Sequence, residues 1–423
     1  MNSVYKTQVK NKVYFFLLLA IITTTIIGAT YVSSCCMIAF ALLSLMEGNL
    51  NQRLKALFSN PFFISLFLLF LIKVIGLIYS DDVATGLKFI EKKSTLIAIP
   101  FIILADPFAN RDKYKKMMTA YCFVLLGVTL YCLLIAIWKY IQFQIIYTFF
   151  YHSLVEPILQ SAVFFTVFVL AGLLYLLSTE ISVENLRPDI KKRLQLFMII
   201  YFTIFIFLLS SKLMLFILIL ILASFAMQKD YMNRNKKTII ITGLICIALT
   251  LLVLLTKNPI KERYLDMQNI GMIKKEKFSP GTYFNGVQLR LLQWKFAYQI
   301  LNENNAWLIG VGPGDSQHLL NKKYADANMY MGNPERKDTG FLNYNFHNQY
   351  IEELVQSGII GLVLLLFSCY ILIRMAIRIR TIEAAFTVFM LLCLFVTESS
   401  LEMQDGLFLY SFLPSMLLSR YHQ

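Results

Sequence analysis

Charge is scarce in this chain of 423 residues. Only 15% of them are Asp, Glu, Lys or Arg, while 58% are hydrophobic. An ordinary soluble domain carries roughly a quarter charged residues, so that class is excluded. Alternation of polar and apolar residues is missing as well. The apolar runs are continuous, which excludes a closed transmembrane β-barrel. Each runs for about 18–20 residues, enough to cross a bilayer core. Cysteine is absent from the one large polar loop. All seven, Cys35, Cys36, Cys122, Cys132, Cys246, Cys369 and Cys393, lie in apolar runs. No disulfide framework and no thiolate metal site follows from that placement, and the thiols read as small apolar residues between helices. No internal repeat and no low-complexity tract occurs. No A-x-A-like cleavage site follows the first apolar run, so it is expected to remain as a helix.

The chain is therefore expected to be an all-α polytopic membrane protein with about twelve transmembrane helices. The expected spans are 14–29, 31–46, 61–79, 94–106, 117–137, 160–178, 194–210, 212–228, 237–256, 348–373, 382–398 and 404–420. The stretch "SDDVATGLKFIEKKS" (80–94) precedes the short fourth span and is expected along the interface. Lys and Arg set the orientation. The basic runs "QRLK" (52–55), "RDKYKK" (111–116), "RPDIKKR" (187–193), "QKDYMNRNKK" (228–237) and "RMAIRIR" (374–380) fall on one side with the N-terminus, and the even number of spans returns the C-terminus to it. The formal charge of +14 is then mostly topology, and no nucleic-acid partner is implied.

Three parts follow: spans one to nine over 1–256, a large outward loop over 257–347, and spans ten to twelve over 348–423. The loop holds 12 Lys and Arg against 8 Asp and Glu, and Gly, Pro and Asn punctuate it at "SPGTYFNG" (279–286), "GVGPGD" (310–315) and "MGNPER" (331–336). One helix is expected within it, "NGVQLRLLQWKFAYQILNEN" (285–304). Val287, Leu291, Trp294, Tyr298 and Leu301 form a stripe expected to pack on the membrane part. Arg290 and Gln293 flank the stripe, so Arg290 can reach a groove at its edge or stand solvated. The glycine turn offers N–H groups that can cradle an anion, or is a plain loop.

The stretch "FHNQYIEELVQSGIIGLVLLLF" (346–367) carries the densest signal. Asn348 is a good N-cap. His347 stands just outside it, one of four histidines with His152, His318 and His422. A histidine at a cavity mouth can exchange a proton near neutral pH; a surface histidine beside a structural cap is the plainer alternative. Glu352, Glu353 and Gln356 keep the first two turns polar, which a lipid-facing helix would not tolerate. That end is expected to face a wet cavity or the loop, and "GIIG" (358–361) to admit a neighbouring helix below it. Lys212, in the short turn of "LLSSKLMLF" (208–216), either snorkels or adds charge to the same outer cavity. Lys73 sits within span three with no acidic partner in its own helix.

An Arg-containing helix "LRLLQWKFAYQIL" (289–301), then "GVGPGD", then "FHNQYIEELVQSGIIGL", together with "LLSSK", resembles the O-antigen ligase and O-antigen polymerase superfamily. The resemblance implies a GT-C-type membrane glycosyltransferase with a mostly helical periplasmic loop in the bacterial inner membrane. It also implies cytoplasmic termini and no metal or cofactor. Its donor would be a glycan on undecaprenyl diphosphate. Its acceptor would be lipid A–core for a ligase, the first expectation, or another glycan for a polymerase. His347 would be the general base and Arg290 a catalytic cation. Lys212, where the family usually has arginine, would meet the diphosphate, and Asn348, Gly312 and Gly314 would bind substrate. A transporter or flippase is the rival class. No inverted repeat and no buried acid of the kind coupled transporters use is apparent in the sequence.

Overall fold

The computed structural model describes residues 2–47, 49–106, 108, 110–256, 258, 274–333, 335 and 338–421; His422 and parts of the outward loop lie outside them. The helices are α1 (Asn2–Ile26), α2 (Thr30–Leu45), α3 (Leu50–Phe58), α4 (Pro61–Gly76), α5 (Val83–Lys93), α6 (Thr95–Leu104), α7 (Arg111–Phe143), α8 (Tyr151–Val155), α9 (Ala162–Ser178), α10 (Pro188–Leu209), α11 (Lys212–Met227) and α12 (Lys229–Leu255). They continue with α13 (Gly286–Glu303), α14 (Ser316–Asp326), α15 (Gln349–Ile379), α16 (Ile382–Thr397) and α17 (Gln404–Tyr421). Among the described residues the only β pairing is an isolated bridge between Asn333 and Asp338.

Each of the twelve expected runs lies in a helix. Among the described residues, six helices are long and apolar enough to cross a membrane, or up to eight if each bent pair is one span. The difference from twelve comes from short or interrupted helices. α11 and α16 have 16 residues each, and α6 has 10 with Pro100 inside it. Caps start the helices where the sequence turns from polar to apolar. Asn60 accepts from the Phe62 amide with Pro61 at the first helical position, and Asn110 accepts from Lys113.

One apolar core runs through the bundle. α9, at its centre, is buried almost all round, and its aromatic residues Phe165, Phe168 and Tyr175 are completely enclosed. α17 packs on α6, and α15 packs on α4 and α16. Two cross-ties mark opposite ends. Arg53 gathers the carbonyls of Ser44, Glu47 and Ala105 at one end, and Gln160 joins Thr25 and Asp405 at the other.

The outward loop builds a second apolar cluster, and here the expected stripe is corrected. Val287 and Tyr298 are exposed, whereas Leu289, Leu292, Phe296, Ala297, Ile300 and Leu301 are buried with Leu320, Tyr324, Phe346 and Val355. The helix is apolar on more than one side, and α14 covers the side next to the expected one. Gln293 is fully buried and donates to the Tyr324 hydroxyl at 2.9 Å. Burial holds that phenol well above its ordinary pKa, so it stays neutral and hydrogen-bonded.

α15 is not continuous. Gly358 has φ +64° and ψ −163°, and the segment 306–312 fills the break. Ile359 donates to the Trp307 carbonyl at 2.8 Å, and Val311 and Gly312 donate to Val355 and Gln356 at 2.9 and 3.1 Å. The "GIIG" stretch thus admits a loop rather than a helix. The inserted backbone satisfies groups that the break would orphan.

Candidate active site

His347 sits one residue before the Asn348 cap, with φ +48°. Its amide donates to Asn345 Oδ1 at 3.0 Å, and its ring lies 5.9 Å from that of Tyr344. Asn348 Oδ1 accepts from the Tyr350 and Ile351 amides at 3.0 and 3.1 Å, as an N-cap should. Its Nδ2 donates to the Val396 carbonyl at 3.1 Å, and its amide to Ser399 Oγ at 3.3 Å. These bonds engage the Asn348 side chain within the protein. The residue is buried and its amide group fastens the start of α15 to the end of α16.

That fastening brings in Glu398, which the sequence reading did not single out. Its two carboxylate oxygens serve two partners. Oε2 lies 2.9 Å from His347 Nδ1, and Oε1 accepts from Arg290 Nη2 at 3.0 Å. Arg290 also donates from Nε to the Thr397 carbonyl at 3.2 Å and from Nη1 to Gly286 at 3.1 Å. A cation at the C-terminal end of α16 is favoured by the helix dipole as well as by the carboxylate. The side chains keep 23% of the surface for His347, 30% for Arg290 and 13% for Glu398, so the trio is open at one side. The only sequence signal for Glu398 is its place in "TESSLEMQDG" (397–406), a polar interruption between two apolar runs.

The arrangement has a direct chemical reading. A carboxylate only accepts, so the His347–Glu398 contact puts the proton on Nδ1 and the lone pair on Nε2. A base with a fixed tautomer results. Arg290 has five N–H donors, of which three are used; two remain for a ligand.

Lys212 opens α11 just after the Ser210–Ser211 turn and is half-buried. α11 packs on α16, the helix that ends at Glu398. The glycine turn is hydrogen-bonded within the protein. Gly312 and Gly314 donate their amides to the Gln356 carbonyl and to Ser80 Oγ, the latter at 3.0 Å. A side chain at Gly314 would meet the Asp82 carbonyl at 2.1 Å. The turn is therefore a packed joint in which the Gly312 and Gly314 amides are already engaged. Asp315 completes the joint by accepting from Ser80, Asp81 and Asp82.

Behind the site lies a buried ionic cluster. Lys73 pairs with Glu353 at 2.6 Å and donates to Ser357 at 2.8 Å, which supplies the acidic partner missing from its own helix. Lys93 pairs with Glu402 at 2.6 Å and donates to the Leu401 carbonyl. Burial pushes the Glu402 carboxyl up, but Lys93 and Lys73 outweigh it and hold it below the usual carboxylate range. Glu352 accepts from Gln356 at 2.8 Å. The apparent lack of buried acids is thus corrected: Glu352, Glu353 and Glu402 are all buried. In the sequence they lie at the edges of apolar runs, and only the packing of α4, α5 and α15 encloses them. The start of α15 puts Ile351, Leu354 and Val355 into the loop core, while its Glu353 turns to Lys73 on α4.

A multi-pass membrane protein with a carboxylate-oriented histidine beside a fixed guanidinium is the class these features define. Residues 196–366 match the family model described as O-antigen ligase. The resemblance to the O-antigen ligase superfamily is borne out over that segment, and the match supports a membrane enzyme of the ligase or polymerase type. The matched segment runs from α10 into α15 and contains Lys212, Arg290 and His347, while Glu398 lies beyond it. No match is found among curated proteins.

Proposed function

We propose that this chain is an O-antigen ligase, a GT-C-type glycosyltransferase that moves a glycan from undecaprenyl diphosphate to lipid A–core. The observation that carries the reading is the Arg290–Glu398–His347 trio at one end of the bundle. In this reading the bundle has twelve spans in the bacterial inner membrane, the termini are cytoplasmic, and the loop domain over 257–347 is periplasmic.

The reaction joins an acceptor hydroxyl to the anomeric carbon of the donor sugar. His347 Nε2 takes the hydroxyl proton as the new C–O bond forms. The bond from carbon to the diphosphate oxygen breaks, and its electron pair leaves with the lipid diphosphate, inverting the anomeric centre. Glu398 holds the imidazole and stabilises the imidazolium that forms. The two remaining Arg290 donors face the diphosphate, with Lys212 as a second cation. Lysine keeps the charge and loses the planar fork. Both substrates are tethered to the membrane, so orientation at one depth supplies much of the acceleration.

The test is a glycan gel of membranes from a deletion strain complemented with wild type or His347→Ala. A ligase leaves core without chains and polymer on the carrier, and His347→Ala does not rescue. Single repeats still attached to core identify a polymerase instead. Full rescue by His347→Ala with unchanged glycans removes the enzyme reading in favour of transport.

A further inference from the structure

The opposite end of the bundle carries a second feature that glycan transfer does not use. A cavity of about 1100 Å³ opens where α9 ends and where α10 and α12 begin. α9 has 17 residues. At a rise of about 1.5 Å each, this cavity is roughly 25 Å from the Gln160–Asp405 end. Lys192, Arg193, Lys229 and Lys237 line it, and Glu180 is the one acid among its described lining residues.

Two observations separate it from the ordinary excess of basic residues at a cytoplasmic surface. First, four cations line one cavity with a single acid among its lining residues, while several other cations at this end are paired. Lys113 pairs with Asp106, Lys116 with Glu184 and Arg420 with Glu383. None of the four cavity cations forms an ion pair with a described side chain. Topology calls for charge at this end, but not for four cations around one cavity. Second, the Thr179 hydroxyl lines the cavity, is 91% buried and has no hydrogen-bond partner among the described residues. Its neighbours are satisfied, since Gln195 Nε2 donates to the Leu176 and Thr179 carbonyls. A buried hydroxyl left alone beside four cations is a donor waiting for an acceptor.

We infer that this cavity binds a phosphate-bearing anion, with the headgroup of an anionic phospholipid as the source the walls favour. Leu196 and Ile199 give the cavity an apolar side where an acyl chain can start, while the cations and Thr179 meet the phosphate. The inference is independent of the transfer reaction, because it uses the other end of the bundle.

The experiment is native mass spectrometry of the purified full-length chain with phosphatidylglycerol or phosphatidylcholine added in equal amounts. Wild type is expected to retain phosphatidylglycerol at least tenfold better than phosphatidylcholine. Removing one cavity charge costs about fivefold in retention and removing two about 25-fold. The variants are Lys192→Gln with Arg193→Gln, and separately Lys229→Gln with Lys237→Gln. Arg374→Gln with Arg378→Gln, which removes two exposed charges outside the cavity, is expected to stay within twofold of wild type. Size-exclusion profile and melting temperature establish that each variant is folded, and the two cavity pairs back each other up. A second arm uses inorganic phosphate at millimolar concentration. If phosphate raises the melting temperature and displaces phosphatidylglycerol, the source is a soluble phosphate; if it does neither, the source is lipid. Equal retention of the two lipids, or an equal fall in the control pair, overturns the site.

Discussion

Replacing Glu398 with glutamine tests the catalytic reading most sharply, because it changes protonation geometry and little else. In wild type the carboxylate at 2.9 Å can only accept from His347, so Nε2 holds the lone pair. A glutamine that keeps its oxygen on Arg290 turns its NH₂ toward Nδ1. Nδ1 must then accept, which moves the ring proton to Nε2 and blocks the base. The neutral amide also stabilises the imidazolium less. Loss of a positioned base costs about 10²–10⁴ in rate, or roughly 3–5 kcal/mol in the barrier. The fold loses less, because the amide keeps one hydrogen bond to each partner. Weakening two charge-assisted bonds at a partly exposed site is about 1–2 kcal/mol. The assay is the initial rate of glycan transfer in proteoliposomes holding lipid-linked donor and acceptor, alongside a melting curve. A Glu398→Gln enzyme within threefold of wild type would refute the base assignment. A large fall in both rate and melting temperature would show instead that Glu398 only holds the loop to α16.

Other outcomes follow from the same geometry. Lys212→Arg is expected to keep or raise the transfer rate and Lys212→Ala to lower it at least tenfold; equal rates for wild type and alanine would leave Lys212 a snorkelling residue. Glu353→Gln leaves Lys73 buried without its counter-charge and should cost about 3–5 kcal/mol, read as a lowered melting temperature. Replacing both partners with Lys73→Met and Glu353→Leu should recover most of that loss, and failure to recover would mean that the pair does more than neutralise itself. Gly358→Ala places a Cβ 2.3 Å from the Leu308 backbone at a φ that alanine disfavours. Both destabilisation and loss of transfer are expected, since the inserted 306–312 segment would be pushed off α15.

Much of the architecture is legible in the residues one after another. Continuous apolar runs need no distant contact to be recognised, because a bilayer demands apolar side chains along the whole of a crossing helix. All twelve expected runs lie in helices. Asn348 as a cap and His347 just outside it follow from neighbours in sequence. The family resemblance rested on such local motifs in order. The tertiary structure decided what local patterns leave open. The covered side of α13 depended on α14, which no stripe in α13 specifies. For the glycine turn a cradle and a plain loop stayed open, because a sequence does not reveal that its amides are engaged by Gln356 and Ser80. Glu398 is 51 residues from His347, and Lys73 is far from Glu353. An isolated acid or lysine at the edge of an apolar run has no meaning until folding brings its counter-charge to it. Membrane helices leave few charges to choose among, yet only packing determines which of them meet.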